Sequence, residues 1–175
     1  MISLVPLNML NPVRLDRLVP ELEGIFQSEI RLFEQEPECD CEGAFDARRQ
    51  QYNSTEILTH LLEIPHPPGK IVGVTDMDLF IPILTFVFGE AMLDGDAAVV
   101  SYFRLRTQFY GLPPDNGLLQ QRLLKEIVHE LGHTFGLLHC HRYDCVMHSS
   151  TYVEEIDLKP ARFCPDCLVK LRRRQ

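Results

Sequence analysis

The chain has 175 residues, 45% of them hydrophobic and 24% charged, which fits one compact domain and excludes a disordered tail or a fibre. At this length folding hides roughly two thirds of the surface the unfolded chain exposes, so stability need not rest on disulfides. With 17 lysines and arginines against 25 aspartates and glutamates, the net charge of −8 has the wrong sign for a general nucleic-acid binder.

In chain order, the apolar stretch Ile2 to Val5 predicts a first strand. Asn11-Pro12 is a helix-start signal, and Leu15, Leu18, Leu22, Ile25 and Phe26 carry helical spacing to about Gln27, with a kink expected at Pro20. Glu29 to Phe33 alternates as a strand does, and the acidic segment Glu34 to Glu42 reads as a loop. A helix is predicted from about Ser54 to Glu63, stopping before Pro65, Pro67, Pro68 and Gly69. Three strand-like runs follow, Lys70 to Leu79, Leu84 to Glu90 and Ala97 to Leu105, the last two joined through the turn signal Asp94-Gly95. Pro113, Pro114, Asp115 and Asn116 then supply caps for a long helix from about Gly117 to Leu138, and a short helix is expected from near Cys164. Early alternation of strands and helices followed by hairpins points to an α+β chain of α/β/α character, a mixed twisted sheet with helices packed on it. There is no internal repeat.

No apolar run approaches the length needed to span a bilayer, and Met1 to Pro12 lacks a basic start and is broken by Pro6 and Asn8. The expected setting is therefore cytoplasmic, with neither membrane nor nucleic acid as a partner. In a reducing compartment the six cysteines more often hold metal or do redox chemistry than form structural disulfides. The glycosylation-like triplet Asn53-Ser54-Thr55 has no consequence without a secretory signal.

The long helix carries His129-Glu130-Leu131-Gly132-His133-Thr134-Phe135-Gly136-Leu137-Leu138-His139. Residues four apart share one helix face, so His129 and His133 have the geometry two imidazoles need to grip one tetrahedral metal. His139 reaches the same metal only if the helix ends near Gly136, the residue best suited to a left-handed exit. Leu119, Leu123, Leu124, Ile127, Val128 and Leu131 form the apolar side of the helix. The histidines fall nearly opposite, beside Arg122, Lys125 and Glu126, and are expected to face a cleft. Three neutral imidazoles leave Zn2+ one open position, and Glu130 is placed to take a proton from water there, which is the machinery of metal-assisted amide hydrolysis. The full string is far rarer by chance than a bare H-E-x-x-H.

A second set follows: Cys140, Cys145, and the two-residue-spaced pair Cys164 and Cys167. Together they suit a closed, structural four-sulfur zinc site tying the segment after the long helix to the carboxyl-terminal helix. Two disulfides, or a redox-active pair at Cys164 and Cys167, are the competing readings. His139 and Cys140 can serve different metals because neighbours in extended backbone point to opposite sides. Cys39 and Cys41 read as loop thiols rather than a third metal site, because two ligands one residue apart seldom close a tetrahedron.

The string from His129 to His139 resembles the metzincin clan of zinc metalloproteases. Its continuation through Cys140, Cys145, Met147, Cys164 and Cys167 is similar to the archaemetzincins. The signature covers Lys125 to Cys167, roughly a quarter of the chain. The resemblance implies a single metzincin-like catalytic domain, with an upper part (1–136) of mixed sheet and helices and a smaller irregular lower part (137–175). It implies His129, His133 and His139 as ligands of a catalytic zinc, Glu130 as general base and acid, and Met147 as the turn methionine beneath the metal. It also implies that an antiparallel edge strand, Leu84 to Glu90 or its hairpin partner, holds an extended peptide. His141 and His148 flank the signature as alternative ligands. Tyr152 is a candidate for stabilising a developing oxyanion, although its distance from Met147 departs from the clan pattern.

The function expected is a zinc-dependent peptidase with two Zn2+ per chain, acting on peptide or protein substrates. The alternatives are a catalytically silent zinc-binding interaction module and a thiol-based redox or metal sensor.

Overall fold

The computed structural model describes residues 1–9, 13–37 and 41–175. Along the chain run β1 (Ile2–Leu7), α1 (Val19–Phe26), β2 (Ile30–Leu32), β3 (Phe45–Asp46), β4 (Gln51–Asn53), α2 (Ser54–Glu63), β5 (Lys70–Thr75), β6 (Leu79–Phe80), β7 (Gly89–Ala91), β8 (Ala97–Ser101), α3 (Asn116–Thr134), α4 (Val153–Leu158) and α5 (Pro165–Arg172). The main sheet has the order β2-β1-β5-β8-β7; its first four strands are parallel and β7 is an antiparallel edge. β3, β4 and β6 form a small separate sheet.

Strand side chains alternate between two apolar clusters, as a period of two demands. Ile2, Leu4, Val72, Val74, Ala98 and Val100 face α1 and the apolar side of α3, whereas Val5, Leu7, Ile71, Ala97 and Val99 face Ile57, Leu58 and Leu61 of α2. The sheet is thus the middle of three layers, and the α+β class expected from the sequence is what the chain adopts. Among the described residues no helix is long and apolar enough to cross a membrane.

Local chemistry sets the helix ends. Asn53 caps α2 by accepting from the Thr55 N–H at 3.1 Å, and Asp115 caps α3 by accepting from the Leu118 N–H at 2.8 Å. α3 ends in a Schellman turn: Gly136 takes φ +74°, its N–H bonds to the His133 carbonyl at 2.8 Å, and the Leu137 N–H bonds to the Gly132 carbonyl at 3.1 Å. The helix therefore stops at Thr134, four residues before Leu138, and the chain leaves it through Gly136, the glycine expected to release it.

Several sequence expectations need correction. Pro20 does not kink a long helix; it occupies the first turn of α1, where its missing N–H costs nothing, after a short 3-10 turn at Leu15–Arg17. The Asn11-Pro12 signal lies outside the described residues. The run Lys70 to Leu79 is split between β5 and β6, which belong to different sheets. Of Leu84 to Glu90 only the end joins the main sheet, because the Leu84 N–H turns back to the Ile81 carbonyl and Val87 makes an isolated bridge to Leu79. The polar side of α3 is also less open than expected. Arg122 forms a bidentate pair with Asp157 at 2.7 and 2.6 Å, and Lys125 donates to the Ile156 and Asp157 carbonyls, so α4 covers half of that side.

Candidate metal centre

Glu126, His129, Glu130 and His133 recur at helical spacing and line one cleft of about 510 Å³. His129 Nδ1 lies 2.8 Å from the Val146 carbonyl and His133 Nδ1 lies 2.7 Å from the Leu137 carbonyl. A carbonyl only accepts, so both Nδ1 atoms carry the proton and both Nε2 atoms are bare lone pairs. Those two Nε2 atoms face each other at 3.1 Å. Two lone pairs so placed repel unless a cation lies between them, and ligands of a tetrahedral zinc stand about 3.3 Å apart. The turn at Gly136 brings His139 back, so that the ligand atoms of all three histidines lie within 4.8 Å of one another.

Burial pushes the pKa of His129 well below the usual imidazole range, with Lys159 and His133 adding to the effect. It lowers His133 and the more exposed His139 as well. Neutral imidazoles are the form that binds metal.

Glu130 is buried beside the first of these histidines. Desolvation, reinforced by Glu126, pushes its carboxyl well above the usual range, while Lys159 opposes the shift. A divalent cation at the histidines would favour the carboxylate again. The carboxyl packs under β7 at Gly89, where an added Cβ would fall 2.7 Å from Glu130 Cγ. β7 is fixed relative to α3 by the turn at Asp94, whose N–H donates to the His133 carbonyl at 3.0 Å. Asp94 also pairs with Arg174 at 2.8 Å.

The loop that receives His129 is built from below. Val146 donates to the Arg162 carbonyl, Cys140 donates to the Met147 carbonyl, and Met147 is fully buried with its sulfur against Gly132. On the other wall of the cleft, Ser149 to Thr151 lead into α4, with the Glu155 carboxylate accepting from the Thr151 and Tyr152 N–H groups. Beneath this wall Lys159 Nζ sits 3.1 Å from Glu126 Oε1, an ion pair almost wholly removed from solvent.

The four sulfurs of Cys140, Cys145, Cys164 and Cys167 also converge within 4.8 Å. None is in a disulfide; Cys140 and Cys164 Sγ are 3.9 Å apart, so the two-disulfide reading is not the one adopted. The Arg142 N–H points at Cys140 Sγ and the Cys164 N–H at Cys145 Sγ, the polar environment a thiolate needs.

The remaining candidates fall elsewhere. His141 is exposed and outside both clusters, and His148 turns Nδ1 to the Cys140 carbonyl at 2.9 Å. Tyr152 is 66% exposed at the start of α4 and does not line the cleft. Cys41 is buried in the apolar cluster beside α2, and Cys39 lies outside the described residues. Sequence reasoning missed Gly89 and the Glu126–Lys159 pair. Both depend on contacts between distant segments; the available hint was Glu126 at helical spacing from His129 and Glu130.

With this geometry in view, the comparisons with known proteins agree with one another. The family model described as Peptidase family M54 matches residues 38–173. An archaemetzincin of Methanocaldococcus jannaschii is 47% identical over 131 residues, covering 75% of this chain and 72% of that protein. One from Archaeoglobus fulgidus is 40% identical over 173 residues, 98% of each. The crystal structure of archaemetzincin from Methanopyrus kandleri superposes with a TM-score of 0.88 at 34% identity, over 99% of this chain and 94% of that one.

Proposed function

Since the chain belongs to Peptidase family M54 and is a zinc metallopeptidase, we propose that hydrolysis takes place at His129, His133 and His139 with Glu130 as general base and acid. The observation that carries this reading is the pair of facing Nε2 lone pairs at 3.1 Å, with Glu130 buried one residue away. His129, His133 and His139 would hold the zinc, which would supply Lewis acidity toward water and the scissile carbonyl. The Val146 and Leu137 carbonyls fix the tautomers that point both Nε2 atoms inward. Glu130 takes the proton from the attacking water and delivers it to the leaving amine. The free edge of β7 accepts an extended peptide by adding backbone hydrogen bonds along the cleft.

Cys140, Cys145, Cys164 and Cys167 would hold a second, structural zinc, which would give each chain two Zn2+. On this reading one catalytic domain spans the chain, its upper part (1–136) presenting the helix and its lower part (137–175) closing the site from below. Met147 packs beneath the histidines as a spacer rather than a ligand.

The test is hydrolysis of a mixed peptide library by the wild type and by Glu130→Ala, both confirmed as zinc-loaded. Cleavage by the wild type, lost in the variant, is expected. Equal activity in the two, or none in either, would favour a silent zinc-binding module instead.

A further inference from the structure

At the end of the cleft that contains Glu126, the floor is polar in a way the proposed chemistry does not use. The Glu126 side chain is only 4% exposed, yet its Oε1 makes no hydrogen bond. Lys159 stands 3.1 Å away as its ion-pair partner and donates a hydrogen bond to the His148 carbonyl at 3.2 Å. Ser150 Oγ, also on the cleft, is buried without a partner. Phe86 and Phe88 line the same cleft, edge to face at 5.3 Å.

We propose that Glu126, with Ser150 and the wall of Phe86 and Phe88, forms a subsite for a lysine or arginine side chain next to the scissile bond; this rests on the peptidase reading above. Glu126 lies about one helical turn before Glu130, about 6 Å along the axis, which about two residues of extended peptide at roughly 3.3 Å each would span. The side chain that meets it therefore belongs to a residue flanking the cleaved bond. What Glu126 Oε1 lacks is a well-aimed hydrogen-bond donor beside its ion-pair partner, and Ser150 Oγ has room to accept as well. An apolar side chain would seal them dry. An acidic one would bring another acceptor to the Glu126 carboxylate and supply it no donor. A cation supplies N–H donors to Glu126 and Ser150, and its alkyl stem packs against the Phe86 and Phe88 side chains.

The experiment uses one peptide sequence varied to Lys, Arg, Gln, Glu or Leu at each residue flanking the cleaved bond, with kcat/KM measured for the zinc-loaded wild type and for Glu126→Gln. At one flanking position the wild type is expected to prefer Lys and Arg over Leu and Glu by about tenfold or more, the worth of one charge-assisted hydrogen bond. In Glu126→Gln that ratio should collapse to within about threefold. If Glu126→Gln fails to fold, the double variant Glu126→Leu, Lys159→Met removes both charges together, and its preference should turn toward Leu. A wild type that favours Leu or Glu, or variants that keep the Lys preference, would overturn the proposal. If the wild type cleaves nothing, the peptidase reading fails separately, and fluorescence anisotropy of the same labelled peptides on wild-type protein still decides the subsite. Tighter binding of the Lys peptide, lost in Glu126→Gln, supports it; equal binding of Lys and Leu peptides rejects it.

Discussion

Gly89 on the sheet edge lies directly over Glu130 on the helix, so close that a Cβ at Gly89 would stand 2.9 Å from Glu130 Oε1 and 2.8 Å from the Val99 carbonyl of the neighbouring strand. The strand carbonyl cannot yield without breaking the sheet, so the Glu130 side chain must. Gly89→Ala is therefore expected to displace the carboxyl and lower kcat by on the order of 100-fold, the cost of misplacing a reacting group by about 1 Å. Zinc content should be unchanged, since no histidine moves. Steady-state kinetics with metal analysis checks this; a normal kcat would show that the carboxyl has room to shift without losing its role.

Gly132 has a related duty on the opposite side of α3. A Cβ there would overlap Met147 Sδ and come within 3.2 Å of the Phe163 ring. Helix propensity favours alanine by about 1 kcal/mol, whereas overpacking a closed core costs about 1–3 kcal/mol. Gly132→Ala should thus destabilise the protein and push the loop that gives Val146 to His129, weakening zinc at the histidines. Shortening the partner, in Gly132→Ala with Met147→Ala, should recover part of the loss in a double-mutant cycle of denaturant unfolding. Additive effects would rule the contact out as the cause.

These two glycines mark the boundary of what was legible in the sequence. The grouping of His129, His133 and His139 was legible because helix geometry alone puts two of them on one face, and a glycine is the cheapest way to return the third. The strands β5 and β8 were legible as apolar runs, being buried on both faces of the sheet. β4 was not: Gln51-Tyr52-Asn53 has no apolar pattern and exists because it pairs with β3 and β6. The covering of α3 was equally invisible, since Asp157 and Lys159 meet Arg122 and Glu126 across more than thirty residues of chain. A polar helix side that binds a neighbouring segment looks, in sequence, like one that faces water.

The two metal clusters share backbone, and that predicts coupling. Cys140 follows His139 directly and donates to the Met147 carbonyl at 2.9 Å, while Cys145 precedes the Val146 that orients His129. Replacing Cys164 and Cys167 together by serine should therefore release more than one metal. Zinc content is expected to fall from about two per chain to less than one, because structural zinc binding is itself folding energy for its segment. Metal analysis with thermal unfolding is the check. A double variant that keeps one full zinc at the histidines and a normal Tm would make the sites independent.

Glu155 predicts an acid-side weakness in the wall facing β7. Its carboxylate accepts from the Thr151 and Tyr152 N–H groups at 2.5 and 3.1 Å, and these bonds hold its pKa below the ordinary value of 4.5, against slight desolvation. A folded-state pKa below the unfolded one gives stability that is full above about pH 4.5 and disappears as pH falls through the folded value. Glu155→Gln keeps the shape and removes the charge. It should be less stable than wild type at pH 7 by about 0.5–1 kcal/mol, the scale of a helix-capping interaction. That gap should close as the wild-type carboxylate protonates, and urea unfolding of both proteins between pH 3 and 7 measures it. A gap that stays constant, or widens in acid, would mean that the charge on Glu155 does not hold the Thr151 end of the cleft.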